Sequence, residues 1–190
     1  MKQKLLKRSK KAALVMMVPT ATILMAGCGE EPVQSAVFET VDQCAAYYNP
    51  EQCKADLAQA TALHTQVAPK YTSQQACEAD FGAGQCETPP ATQAQSGGGF
   101  FMPMMMGFLM GQMMNGGNKL KQPVQPQPLY KSRDDQGTFR TANNTPVAKS
   151  TGSTYLRPSS VQTRPAGLVS RGGFGAQAQQ RQSSSSSYGG

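Results

Sequence analysis

The sequence has no tryptophan and a single histidine, and only 7% of its 190 residues are aromatic and 38% hydrophobic. That is too little apolar material for one packed domain of this length. No run is long enough to serve comfortably as a membrane span. The longest, Ala12 to Ala26, has 15 residues and is interrupted by Pro19. As a helix it would reach roughly 22 Å at ~1.5 Å per residue, short of a ~30 Å hydrocarbon layer. No C-x-x-C pair occurs, which argues against a redox dithiol, and no two-to-four-residue cysteine knuckle is present for zinc. The formal charge of +7 is misleading, because six of the 18 basic residues, Lys2, Lys4, Lys7, Arg8, Lys10 and Lys11, stand in the first eleven positions. Without residues 1–27 the charge falls to +1, so nucleic acid is not an expected partner.

What is there begins with an export signal. A cationic cluster, an apolar run and a small-residue site follow in order over residues 1–27. Leu24-Met25-Ala26-Gly27-Cys28 resembles the bacterial lipobox, which implies lipidation of Cys28 and a membrane anchor. The alternative is an ordinary cleaved signal that leaves a soluble periplasmic chain. Gly29 stands where an inner-membrane retention Asp would, so the expectation is the outer membrane, facing the periplasm.

Four cysteines remain, an even number in a chain bound for an oxidising compartment. Cys44 and Cys53 have the same spacing as Cys77 and Cys86, and the two segments superpose at an offset of 33. Phe38 falls on Tyr71, Thr40 on Ser73 and Tyr48 on Phe81, so the segment reads as a duplicated unit. Thr40 and Ser73 are placed to cap helices, and Asn49-Pro50 and Gly82-Ala83-Gly84 break them. A second helix restarts at Asn49-Pro50 and runs to about Val67, with Leu57, Ala60, Leu63 and Val67 along one side. In one straight helix each Cys pair would lie about 13.5 Å apart, beyond bridging range, so the break favours Cys44–Cys53 and Cys77–Cys86. The other two pairings stay open.

Residues 97–117 change character to glycine, phenylalanine and methionine. Phe100, Phe101, Met104, Gly107, Phe108 and Gly111 are the expected apolar contact, with Gly107 and Gly111 suited to close helix approach, self-association or a membrane surface. A docked helix is the plainer alternative. A third reading is copper(I) held by thioethers of Met102, Met104, Met105, Met106, Met110, Met113 and Met114. No cofactor is expected. From residue 118 onward Pro, Gln, Ser and Gly dominate, with ten basic residues against Asp134 and Asp135, and this reads as a disordered basic tail.

The fold expected is small and mainly α: duplicated disulfide-stapled helical units, an apolar Phe/Met/Gly-rich tract and a long disordered tail. Its divisions are a signal peptide at 1–27, a linker at 28–37, the stapled domain at 38–90, the apolar segment at 91–117 and the tail at 118–190. The sole His64 reads as an exposed helix residue, and no acid, base or nucleophile converges on it. The order of the lipobox, the aromatic-to-Cys units, Gly82-Ala83-Gly84-Gln85-Cys86, Phe101-Met102-Pro103-Met104 and Arg171-Gly172-Gly173-Phe174-Gly175 resembles the YgiB family of uncharacterised bacterial envelope proteins. The resemblance implies a compartment and a lipid anchor, and no catalytic residues. The functional expectation is a non-enzymatic, membrane-anchored envelope lipoprotein that acts through an envelope protein partner or by self-association. Periplasmic copper buffering is the alternative.

Overall fold

The computed structural model describes residues 30–89, 99–111, 124–169, 173–178 and 180. Its elements in chain order are β1 (Val33–Phe38), α1 (Val41–Ala45), α2 (Pro50–Val67), β2 (Lys70–Tyr71), α3 (Gln74–Phe81), β3 (Cys86–Glu87), β4 (Met102–Pro103), β5 (Gly107–Leu109), β6 (Gln127–Ser132), β7 (Asp135–Arg140), β8 (Pro146–Ala148), β9 (Gly152–Leu156), a 3-10 turn (Pro158–Val161) and β10 (Leu168–Val169).

The helices form where local chemistry places them. Thr40 accepts from the Gln43 N–H, Asn49 from Glu51 and Gln52, and Ser73 from Ala76, so all three starts are capped by the residues that the sequence marks. Pro50 occupies the first turn of α2, where a missing N–H costs nothing. The helix ends at Ala68, before Pro69. The disulfides are Cys44–Cys53 and Cys77–Cys86, with Cα separations of 5.8 and 6.2 Å.

The mainly α expectation is wrong. Six strands form one antiparallel sheet in the order β8-β7-β6-β5-β1-β9, curled into a nearly closed barrel. Across the remaining seam the Thr154 hydroxyl donates to the Val147 carbonyl at 3.2 Å. The tail read as disordered supplies β6, β7, β8 and β9, and the Phe/Met tract supplies β4 and β5 in place of a helix. Strand β1 starts inside the 28–37 stretch.

Alternation along the strands sorts side chains into two faces. Val37, Leu109, Leu129, Phe139 and Leu156 fill the barrel with Val124 and Val161. Ala36, Phe38, Phe108 and Met110 face outward, where α1 and α2 cover them with the Cys44–Cys53 bridge and Ala60. The Cys44 and Met110 sulfurs are 3.5 Å apart. A third cluster gathers Ala68, Tyr71, Cys77, Phe81, Met102, Tyr130 and Phe174 on the outside of β6. The scarce apolar residues therefore suffice, because three small clusters share one thin sheet.

Candidate functional site

Beside the third cluster runs a chain of polar contacts that links α2, β3 and β6. The buried stripe of α2 runs Cys53, Asp56, Ala60, His64 and Val67, at helical spacing. His64 is therefore 5% exposed, not a surface residue as its sequence context suggested. Its Nδ1 lies 2.8 Å from the Tyr130 hydroxyl and its Nε2 lies 3.1 Å from Glu87 Oε1. Both contacts are met by the neutral ring with the proton on Nε2, donating to Glu87 and accepting from Tyr130. Burial pushes the His64 pKa below its ordinary value, against the opposing pull of the Glu87 hydrogen bond and charge. Burial, with the Glu87 charge behind it, pushes the Tyr130 hydroxyl upward, so it stays protonated. Nearby, the Tyr71 hydroxyl donates to Asp80 Oδ2 at 2.8 Å, and burial followed by that bond raises its pKa too.

A carboxylate, an imidazole and a hydroxyl in line have the order of a nucleophile relay. Here the hydroxyl end is closed. Tyr130 is fully buried, with Phe81 and Phe174 edge-on to its ring at 6.2 Å each. Only Glu87 reaches solvent, its side chain 39% exposed. The arrangement ties α2, β3 and β6 together and holds a proton inside the fold.

The cap on this cluster comes from the Gly-rich C-terminal motif. Phe174 inserts its ring 4.6 Å from that of Phe81. Gly175 exchanges two hydrogen bonds with the Asn144 side chain, at 2.9 and 3.0 Å. Asp134 accepts from the Ala176 and Gln177 N–H groups at 3.3 and 2.8 Å. Gly175 has φ +99°, and a Cβ there would collide with the Asp134 carboxylate, so only glycine fits. Upstream, β10 pairs in parallel with β2, and the described stretches 166–169 and 173–178 together form a strap across the cluster. A pocket of about 310 Å3 opens beside it, lined among others by Tyr71, Asn143, Arg164, Pro165 and Phe174.

The residues of the expected apolar contact are largely taken up by the fold. Phe108 is fully buried, and Phe100 and Phe101 pack on the third cluster. A Cβ on Gly107 would lie 2.8 Å from the Phe38 carbonyl oxygen, and one on Gly111 3.0 Å from Pro126. These glycines serve close approach within one chain. Met104 alone of this group is exposed, at 42%. The methionines do not share one cluster: Met102 belongs to the third, Met110 to the α2-covered one, and Met105 packs partly against the latter. The Met106 N–H bonds Leu129. Met113, Met114 and Cys28 lie outside the described residues. Among the described residues no group of three or more His, Cys, Asp or Glu is placed to hold a metal, and no helix is long and apolar enough to cross a membrane.

Sequence reasoning gave no site role to Asp56, His64, Tyr130, Asp134 or Asn144. The helical spacing of Cys53, Ala60 and Val67 held a signal for the first two, since Asp56 and His64 fall on the same stripe. Asp134 and Asn144 gave none beyond ordinary turn chemistry.

The family described as "Protein of unknown function (DUF1190)" matches residues 32–185. A UPF0441 protein of Klebsiella pneumoniae subsp. pneumoniae is 33% identical over 181 residues, covering 85% of this chain and 78% of the relative. One of Erwinia tasmaniensis is 34% identical over 180 residues with the same coverage. One of Serratia proteamaculans is 32% identical over 187 residues, covering 88% and 82%. No solved structure matches the chain. The match spans the barrel, the stapled helices and the strap together, and the chain belongs to the DUF1190 family.

Proposed function

We propose that this is a non-enzymatic lipoprotein of the bacterial envelope, of the YgiB-like kind that its motif order resembles, acting as an anchored structural or interaction module. The observation that supports it most is the allocation of sulfur. Two disulfides take Cys44, Cys53, Cys77 and Cys86, which suits an oxidising compartment, and Cys28 is the one cysteine left over, at the lipobox position. The barrel starts five residues after it, at Val33. The interaction role is favoured over catalysis because the His64 and Tyr130 side chains are buried and engaged in packing.

Intact mass of the chain from a membrane fraction tests this. The expected species begins at Cys28, carries acyl groups, and lacks four hydrogens for two disulfides. An unmodified chain in the soluble fraction overturns the anchor. The copper reading needs the methionines to converge, and Met102 and Met110 serve different clusters. Titration with Cu(I) against a competing chelator decides it: binding no tighter than that of a variant with the tract methionines changed to Leu removes copper buffering.

A further inference from the structure

If Cys28 carries the lipid, the barrel is not free to face the membrane in any direction. Cys28 and Glu30 are separated by two peptide links, so their Cα atoms are at most about 7.6 Å apart at ~3.8 Å per link. Glu30 is fastened to the barrel. Its carboxylate accepts from the Ser159 N–H at 3.0 and 3.1 Å and from the Ser159 hydroxyl. Ser159 belongs to the 3-10 turn that follows β9, and that turn is bound to the first residue of β6 by the Gln127 side chain, which donates to the Val161 carbonyl at 2.9 Å.

The register defines this end of the barrel. Val33 pairs with Leu156, and Val37 with Gly152, so β9 descends toward the anchored end as β1 leaves it. The loop from Lys149 to Thr151 lies at the other end, about 16 Å away along a five-residue strand at ~3.3 Å per residue. On β9 the exposed Ser153 and Tyr155 alternate with the half-buried Gly152 and Thr154 and the buried Leu156. Tyr155 is 70% exposed and Arg157 is also exposed, so both stand on the outer side next to the tether. Ser159 and Ser160 are exposed beside them. Tyr155 and Arg157 share the outer side about 6.6 Å apart along the strand at ~3.3 Å per residue, with Arg157 nearer the tether, so the guanidinium suits a headgroup phosphate and the amphipathic ring the same headgroup layer.

We propose that the rim formed by Tyr155, Arg157 and Ser160 is a docking surface for phospholipid headgroups of the leaflet that holds the Cys28 lipid. The inference rests on the anchor reading above. It sets the long axis of β1 and β9 across the membrane plane and turns the Lys149–Thr151 loop toward the periplasm.

The test uses the full acylated chain with Ser160→Cys or Ser150→Cys, each giving one free thiol for a fluorophore. The labelled proteins are placed in phosphatidylethanolamine–phosphatidylglycerol vesicles containing a headgroup nitroxide lipid. Quenching is expected to be several-fold stronger at position 160 than at 150, and to fall when Tyr155→Ser and Arg157→Glu are added to the 160 variant. Equal or reversed quenching in an acylated sample overturns the orientation alone. Quenching at 160 that ignores the double substitution overturns the headgroup contact. A mass without acyl groups on Cys28 removes the anchor reading and the orientation with it.

Discussion

The imidazole of His64 shows at the scale of one residue how the fold handles a charge it cannot accommodate. The folded state holds the ring neutral, with its pKa below the ordinary 6.5 because burial outweighs Glu87. Below that pH the unfolded chain binds more protons than the folded one, so this contribution is intact above about pH 6.5 and is lost as pH falls through it. Urea midpoints should therefore drop between pH ~7.5 and ~5.5 in the native protein, and drop less in His64→Gln. Equal slopes in the two proteins would contradict the buried relay. Gly175 makes a second residue-scale prediction. Alanine there meets both a positive φ and the Asp134 carboxylate, and should cost about 1–3 kcal/mol in denaturant unfolding. An unchanged midpoint would mean that the strap is not seated. The caps Thr40, Asn49 and Ser73 were readable because capping is local chemistry, needing only a side chain and the N–H groups that follow it. His64 was not readable as buried, because its partners lie 66 and 23 positions away.

Among the elements, α2 was placed from Asn49-Pro50 to Val67, yet its inward face was misjudged. Ranking by hydrophobicity selects Leu57, Ala60, Leu63 and Val67, whereas the buried stripe contains Asp56 and His64. Asp56 is affordable there because Gln52 and the Gly111 N–H bond its two oxygens at 2.6 and 3.0 Å. The strands were hidden for other reasons. In β1 the last four residues are buried on both faces, which erases the alternation that marks a strand. In β6, Pro128 sits opposite Phe108, and proline in a polar stretch argues against a strand. In β5, Gly107 looked like a helix-packing residue, but it lets β5 approach the Phe38 carbonyl. Gly107→Ala is expected to cost about 1–3 kcal/mol, since backbone at 2.8 Å has no room to yield. Replacing Cys77 and Cys86 together by Ser should remove about 2–4 kcal/mol, because the bridge closes a short loop and carries β3 to its pairing with β4. Both values are read from urea unfolding, and a midpoint unchanged in either variant would contradict the element's assigned role.

For the whole molecule, composition misleads because it counts apolar residues without asking how many a thin barrel needs. One inner row of Val37, Leu109, Leu129, Phe139 and Leu156 fills the sheet, and the stapled helices and strap cover much of its outside. Residues 124–169 of the Gln-, Pro- and Ser-rich half are therefore not a disordered tail but part of the barrel wall. Lys131 makes the same point at the surface, bonding Glu39 at 3.0 Å and lying 4.2 Å from the Phe139 ring centre, so that a basic residue of the supposed tail pins the end of β1. Hydrogen–deuterium exchange on the oxidised protein tests this packing most directly. Amides of β6 and β9 are expected to exchange as slowly as those in the middle of α2, and all three to lose protection together in denaturant. Rapid exchange across residues 127–156 beside a protected α2 would contradict it.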